Sequence, residues 1–228
     1  MSIQTIASAL LEEKQTPSHL TRRVYDALAP VYGVSAQLFH SRAHTAAHRA
    51  SGIEDGARVL EVGMGSGEMF GRLVTANPGG QTFGVDLSPN MAARSQADVR
   101  RKFPEVAAQC QAADASRLPF ARHSFDAVVC CFLFELLGDV QIEDSLLEIR
   151  RVLKPEGRLT LTLVGEKKRA FSAAYALASK VAPAFWGRQV DESLVNMLPS
   201  FGFNVVTDFY LRQLFYVSRV VSAVKTQR

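Results

Sequence analysis

Residues 59–67 read Val-Leu-Glu-Val-Gly-Met-Gly-Ser-Gly. A short apolar run, Ala57–Val62, leads into three glycines at alternate positions, and a helical pattern follows to about Ala76. A strand that ends in glycines and opens a helix points backbone N–H groups at a ligand. Glycine is required because a Cβ would block the close approach. The segment therefore predicts a strand, a cofactor loop and a helix.

The spacing discriminates between cofactors. A dinucleotide fingerprint, Gly-x-Gly-x-x-Gly, counted from Gly63 needs glycines at 63, 65 and 68, but position 68 is Glu68. The pattern present is Glu61-x-Gly63-x-Gly65-x-Gly67. A glutamate beside a pyrophosphate would repel it and compete for the same donors. S-adenosylmethionine (SAM) has no phosphate, and Glu61 can help hold the ammonium of its amino-acid end. On charge grounds the loop suits SAM better than NAD.

Two further acids extend the site. Asp86 closes Phe83-Gly84-Val85-Asp86, 19 residues after Gly67, where a strand-end carboxylate can accept both ribose hydroxyls. Ser88 competes for any helix-capping role there. Asp114, in Ala113-Asp114-Ala115, stands where an acid at the end of a third strand can accept from an adenine amino group.

Outward from the loop, strands are predicted at Gln81–Asp86, Ala107–Gln111, Phe125–Phe132 and Arg158–Val164. Helices are predicted from Ser88-Pro89 to about Phe103 and over Ile142–Leu153, the latter closed by Lys154-Pro155-Glu156-Gly157. Alternation of the two implies βαβ units and a mostly parallel sheet. The chain then changes character, with a helix at Asp191–Ser200 and strands at Phe203–Leu211 and Phe215–Val224. So short a connection between the last two strands demands an antiparallel hairpin. Before the sheet, helical patterns cover Ile3–Leu11, a stretch from Thr16-Pro17 to about Val31, and Ser35–Ala50, with Gly52 and Gly56 as the exit. The expected fold class is α/β: a Rossmann-like, seven-stranded, mostly parallel sheet with an antiparallel final hairpin, helices on both faces, and a helical N-terminal cap. In domain terms, 1–52 is the cap, 53–228 the SAM-binding domain, and 166–188 a substrate lid.

Together these segments resemble class I SAM-dependent methyltransferases, in the group similar to the ubiquinone/menaquinone-biosynthesis enzymes. The likeness runs from Tyr25-Asp26-Ala27-Leu28-Ala29-Pro30-Val31-Tyr32 through the glycine loop, Val85-Asp86-Leu87-Ser88-Pro89 and Asp114. It continues with Leu118-Pro119-Phe120, Ser124-Phe125-Asp126 and Arg150–Gly157. The resemblance implies that Glu61, Gly63, Gly65 and Gly67 surround the methionine part of SAM, and that Asp86 holds the ribose. It implies that Leu87 packs on adenine, Asp114 and Ala115 read its edge, and Phe132 lies alongside the cofactor. Quinone C-methyltransferases of this group carry an Arg-Asn pair just past the fourth strand; here the segment is Phe132-Leu133-Phe134-Glu135-Leu136-Leu137. The Asn/Asp-Pro-Pro-Tyr/Phe and Pro-Cys motifs of nucleic-acid methyltransferases are absent, which disfavours nucleic acid as a substrate.

Methyl transfer from a sulfonium is an in-line displacement that depends on alignment, and a base is needed only where the acceptor must lose a proton. His40, His44 and His48 recur at four-residue intervals and share a helix face. His44 is the candidate base, and Tyr25 and Tyr32 are candidates for reaching cofactor or substrate. The histidines lack metal-ligand spacing, and no metal is expected. Cys110, Cys130 and Cys131 form no disulfide framework and read as small hydrophobes in a reducing compartment. The net charge of +4 is concentrated from residue 166 onward, where nine Lys/Arg face four Asp/Glu. Cationic and aromatic residues in 166–188 suit a small, amphiphilic or lipid-like acceptor. With the Ile3–Leu11 stripe they motivate peripheral contact with an anionic membrane and, as an alternative, phospholipid N-methylation. No apolar run reaches the ~18 residues of a membrane span and no secretory pattern stands at the start, so a cytoplasmic location is expected. A non-catalytic SAM-binding protein is the second alternative.

Overall fold

The five segments expected to form the parallel core do so. The computed structural model describes residues 40–165, 189–213 and 216–227. Helix α1 covers 40–51 and is followed by β1 (Arg58–Val62), α2 (Glu68–Ala76), β2 (Gln81–Asp86), α3 (Pro89–Lys102) and β3 (Ala107–Ala112). Then come β4 (Phe125–Cys131), α4 (Asp139–Val152), β5 (Leu153–Gly165), α5 (Asp191–Met197), β6 (Phe203–Arg212) and β7 (Val217–Lys225). The patterns at Ile3–Leu11 and Thr16–Val31, with Tyr25, Tyr32 and the lid at 166–188, lie outside the described residues.

The sheet order is β3-β2-β1-β4-β5-β7-β6. Strands β1 to β5 pair in parallel, whereas β7 is antiparallel to both neighbours. The expected hairpin is present, with β7 inserted between β5 and β6. Chain order runs outward from β1 to β3 and restarts at β4 on the other side of β1. The carboxyl ends of β1 and β4 therefore diverge into a crevice, the place where open α/β sheets bind ligands.

Side-chain alternation builds a layer on each face. From β1 and β4, Leu60, Val62, Val128 and Cys130 meet Ile142, Leu146 and Ile149 of α4 and Leu194 of α5. Val59, Val129 and Cys131 point the other way, against Ala47 of α1 and Met69 and Leu73 of α2. Phe70, Val74, Ala92 and Val99 complete that second face. Burying a Leu or Phe side chain contributes roughly 1.5–3 kcal/mol, so these two layers are the main favourable term in folding.

Three boundaries differ from expectation. Lys154–Gly157 was expected to separate helix from strand, but β5 begins at once at Leu153. Register jumps from Phe125↔Leu153 to Ala127↔Arg158, so these four residues bulge from the ladder, with Glu156 at φ 61°. Pro155 has no N–H to pair, which is why the ladder opens there. Phe132 was read as the end of the fourth strand; β4 stops at Cys131, and Phe132 turns to φ 55°. The helix expected to reach Ser200 ends at Met197 and tightens into a 3₁₀ turn, Leu198–Phe201. Pro199 cannot donate to the carbonyl four residues back, so the last turn contracts.

Candidate active site

The crevice at the β1/β4 switch is a cleft of about 1110 Å³, its open mouth included. Its floor is the glycine loop. Gly63 and Met64 donate to Val85 O (2.8 and 3.1 Å), folding the loop back over the end of β2. Gly63, Gly65 and Gly67 adopt φ of 74°, 50° and 78°. For most other residues the left-handed region costs about 1–2 kcal/mol. A Cβ on Gly67 would also come within 2.7 Å of Ser95 Oγ, so helix α3 supports the loop from below.

Asp86 ends β2 with one oxygen accepting from Gly65 N (2.8 Å) and the other from Ser88 N (2.9 Å). Ser88 takes the capping role, accepting from Met91 N at 3.2 Å. The aspartate is therefore not spent as the helix cap; it is fixed at the loop and lines the cleft. Asp114 and Ala115 follow β3 on the same wall. Asp114 Oδ1 accepts from Ser116 N and Ser116 Oγ (2.9 and 2.7 Å), and among the described residues its Oδ2 has no partner. Leu87 lines the cleft between the two acids.

Glu61 is the unusual group. It is 1% exposed, it lines the cleft, and its Oε2 is shielded without a hydrogen-bond partner. Burial, with the negative charges of Asp86 and Glu68 nearby, pushes its carboxyl well above the usual range. Glu61, Glu68 and Asp86 give this end of the cleft an acidic lining. That lining repels phosphate and stabilises a cation. Five of the residues assigned from sequence to the methionine, ribose and adenine ends are thus gathered with Gly63 and Gly65 around one cavity.

Phe132 reaches the cleft through its strained turn, its N–H held by Thr162 O at 2.8 Å. Its ring lies 4.4 Å from that of His40 and 6.0 Å from that of His44. Strain of this kind concentrates where a side chain must be aimed. The three histidines do not act as one face: His40 and His44 line the cleft, and His48 does not. His44 Nδ1 lies 3.2 Å from Glu68 Oε2, too oblique for an aligned hydrogen bond. Burial works against the charge of Glu68, but the His44 and Arg72 contacts outweigh it and hold the carboxyl below its usual range. Burial, and the adjacent His44, depress His40 to about 4. His40 Nδ1 bonds the hydroxyl of Tyr216.

Several contributors were not singled out from sequence. Leu133, Leu136, Leu137 and Gln141 form an apolar wall with one amide beyond β4. Tyr216 comes from 176 residues away. Glu135 is buried behind that wall; its Oε1 accepts from Val164 N at 2.6 Å, and burial pushes its carboxyl up to about 7. Of the three cysteines read as small hydrophobes, Cys130 and Cys131 are buried, and burial raises both thiols, whereas Cys110 is half-buried. Among the described residues no helix is long and apolar enough to cross a membrane.

The family described as "Methyltransferase domain" matches residues 60–161. A demethylmenaquinone methyltransferase of Deinococcus radiodurans is 31% identical over 155 residues, covering 65% of this chain and 62% of that protein. An uncharacterized methyltransferase-like protein of Schizosaccharomyces pombe is 36% identical over 110 residues, covering 48% and 39%. The chain thus spans less than two thirds of the length of the first curated relatives it matches. Among solved structures, the cyclase SpnF superposes with TM-score 0.76 at 17% identity, covering 92% of this chain and 97% of that one. Magnesium protoporphyrin IX methyltransferase from Synechocystis, solved with bound SAH, gives TM-score 0.73 at 16% identity, covering 92% and 100%. These likenesses concern the fold, and a fold hosting both a cyclase and a methyltransferase leaves the reaction to the site. Sheet topology and sequence matches agree: the chain has the fold of class I SAM-dependent methyltransferases, and over residues 60–161 its sequence is similar to the methyltransferase domain shared with the ubiquinone/menaquinone-biosynthesis enzymes.

Proposed function

We propose that the chain is a SAM-dependent methyltransferase acting on a small or amphiphilic molecule. One observation carries the reading: Glu61, Glu68 and Asp86 crowd carboxylates around a glycine loop built for close backbone approach. Such a cleft fits a ligand with a cationic amino-acid end and a ribose, and rejects one with a pyrophosphate. Glu61 would hold the ammonium, Asp86 the ribose hydroxyls, and Asp114 with the Ala115 backbone the adenine edge. Gly63, Gly65 and Gly67 leave room for the methionine part, with Leu87 and Phe132 as apolar walls. Bound there, SAM supplies an electrophilic methyl group on a sulfonium.

Phe132, Leu133, Leu136 and Leu137 support an apolar or aromatic acceptor. Relatives named for menaquinone synthesis make quinone-like rings the first class to try, and the absence of the Arg-Asn pair favours other positions or atoms of attack. His44 is the candidate base. Tyr25 and Tyr32, the cap 1–52 and the lid 166–188 remain parts of the proposal. A cytoplasmic setting belongs to it too, supported by three free cysteines. The membrane and phospholipid readings rest on 3–11 and 166–188.

Calorimetry with SAM and SAH, followed by transfer of a radiolabelled methyl group into extracts of the source organism, tests the proposal. Binding with transfer to an extractable product supports it. Binding without transfer favours a non-catalytic SAM-binding protein, and no binding overturns the reading.

A further inference from the structure

We propose that Glu68 is a positioning residue that fixes the tautomer of His44, making Nε2 the proton acceptor of the site for a methyl acceptor that enters as a weakly acidic hydroxyl, such as a phenol or enol. The inference rests on the methyltransferase reading above.

The two residues come from different elements, His44 from α1 and Glu68 from the first turn of α2. His44 is 6% exposed, and its Nδ1, 3.2 Å from Glu68 Oε2, is shielded from solvent. The ring also lines the cleft, and in the proposal the edge that meets the acceptor is the one opposite Glu68, which carries Nε2. The carboxylate is held from behind: Arg72 contacts Glu68 Oε1 at 3.1 Å and donates to Ser41 Oγ (2.8 Å) and Thr45 Oγ1 (3.0 Å) of α1. The start of a helix further favours its negative charge. Although the contact is too oblique for an aligned hydrogen bond, a carboxylate 3.2 Å away repels a ring lone pair and attracts an N–H, so the nitrogen facing it carries the proton. In a neutral ring Nε2 then carries the lone pair.

That lone pair selects the chemistry. An amine attacks with its own lone pair and can shed its proton to water afterwards. A hydroxyl oxygen is a poor nucleophile until its proton is taken. In the proposed step the hydroxyl proton moves to Nε2, the oxygen forms its bond to the methyl carbon, and the C–S electron pair stays on sulfur as the thioether. The imidazolium so formed is balanced by Glu68 and later releases its proton to solvent. Neighbouring His40 is held neutral and adds no competing charge.

Glu68 also ties α1 to α2 through Arg72, and a purely structural role would leave the tautomer of His44 indifferent to it. The test is ¹⁵N NMR of histidine-labelled protein, with the His44 signal assigned by His44→Asn. The wild type should show a protonated Nδ1 and an unprotonated Nε2, and Glu68→Leu should return the ring to the Nε2–H form that water favours. Nε2–H in the wild type overturns the proposal whether or not the variant folds; an unmoved tautomer in folded Glu68→Leu overturns the role of Glu68. With SAH bound, phenol should shift the Nε2 resonance and anisole, which lacks the hydroxyl, should not. Equal shifts, or none with phenol, overturn the acceptor class. Calorimetric SAH binding, measured on the same samples, reports separately on the underlying methyltransferase reading.

Discussion

Replacing Glu61 by Gln should strengthen the free protein while weakening its hold on SAM. The side chain is 1% exposed, and its Oε2 has no partner to offset the loss of water. A buried polar group left unsatisfied costs about 1–3 kcal/mol, more when charged. The amide removes the charge but keeps one acceptor, so a gain of about 1–2 kcal/mol is expected, or ~2–8 °C in Tm for a chain of this size. The gain depends on pH. The folded-state carboxyl lies above its ordinary 4.5, so above that pH the unfolded chain gives up the proton first and wild-type stability falls as pH rises. Glu61→Gln should therefore outperform the wild type at pH 8 and match it near pH 4. For the ligand, a charge-assisted hydrogen bond of ~1.5–3 kcal/mol is exchanged for a neutral one of ~0.5–1.5 kcal/mol. The roughly 1–1.5 kcal/mol difference is about a five- to twelvefold loss of SAM affinity. Circular-dichroism melts at the two pH values and calorimetry with SAM and 5′-methylthioadenosine, which lacks the amino-acid end, provide the readout. A variant less stable at pH 8, or one that loses both ligands equally, would refute the reasoning.

Asp86→Ala should cost at least an order of magnitude in affinity for SAM and for 5′-methylthioadenosine alike, since both carry the ribose; unchanged calorimetric affinity contradicts the assignment. Gly67→Ala should destabilise the fold by about 1–3 kcal/mol in urea melts, because φ 78° is unfavourable to alanine and its Cβ meets Ser95 Oγ. A neutral melt within experimental error would show that the loop relaxes. His40 is depressed from 6.5 to about 4, so between those values the unfolded chain binds a proton that the folded chain refuses. Stability should fall by up to about 3 kcal/mol as pH drops through that window, and His40→Gln should flatten that part of the profile. Parallel profiles for the two proteins would remove His40 as the cause.

The residues proposed to hold the cofactor were legible because they are local. Glu61, Gly63, Gly65 and Gly67 lie in one strand-loop-helix unit, and Asp86 is one βα step away, so short-range periodicity placed them all. The contacts of the residues proposed to face the methyl acceptor were not, because their geometry is tertiary. His44 found no acid in its own segment, and its partner Glu68 arrives only when α1 packs on α2. Tyr216 reaches His40 across most of the chain. Glu68 was read as an argument against pyrophosphate, which is consistent with the acidic cleft, but nothing in its sequence neighbourhood pointed to a histidine. Two of the three misplaced boundaries share a feature: at Phe132 and Glu156 a residue other than glycine takes positive φ, and hydrophobic pattern carries no trace of that.

The inserted position of β7 has a consequence for how the chain reaches its fold. Strand β6 is synthesised first, yet it touches the sheet only through β7. Until residues 217–225 emerge, β5 keeps a bare edge with Leu159, Leu161 and Leu163 behind it, and β6 has nowhere to dock. An unpaired, apolar edge invites other chains. The nascent protein thus passes through a window of self-association that closes when one strand slots between two others. Substitutions that slow β7, rather than those that weaken the cofactor cleft, should set the yield of native protein.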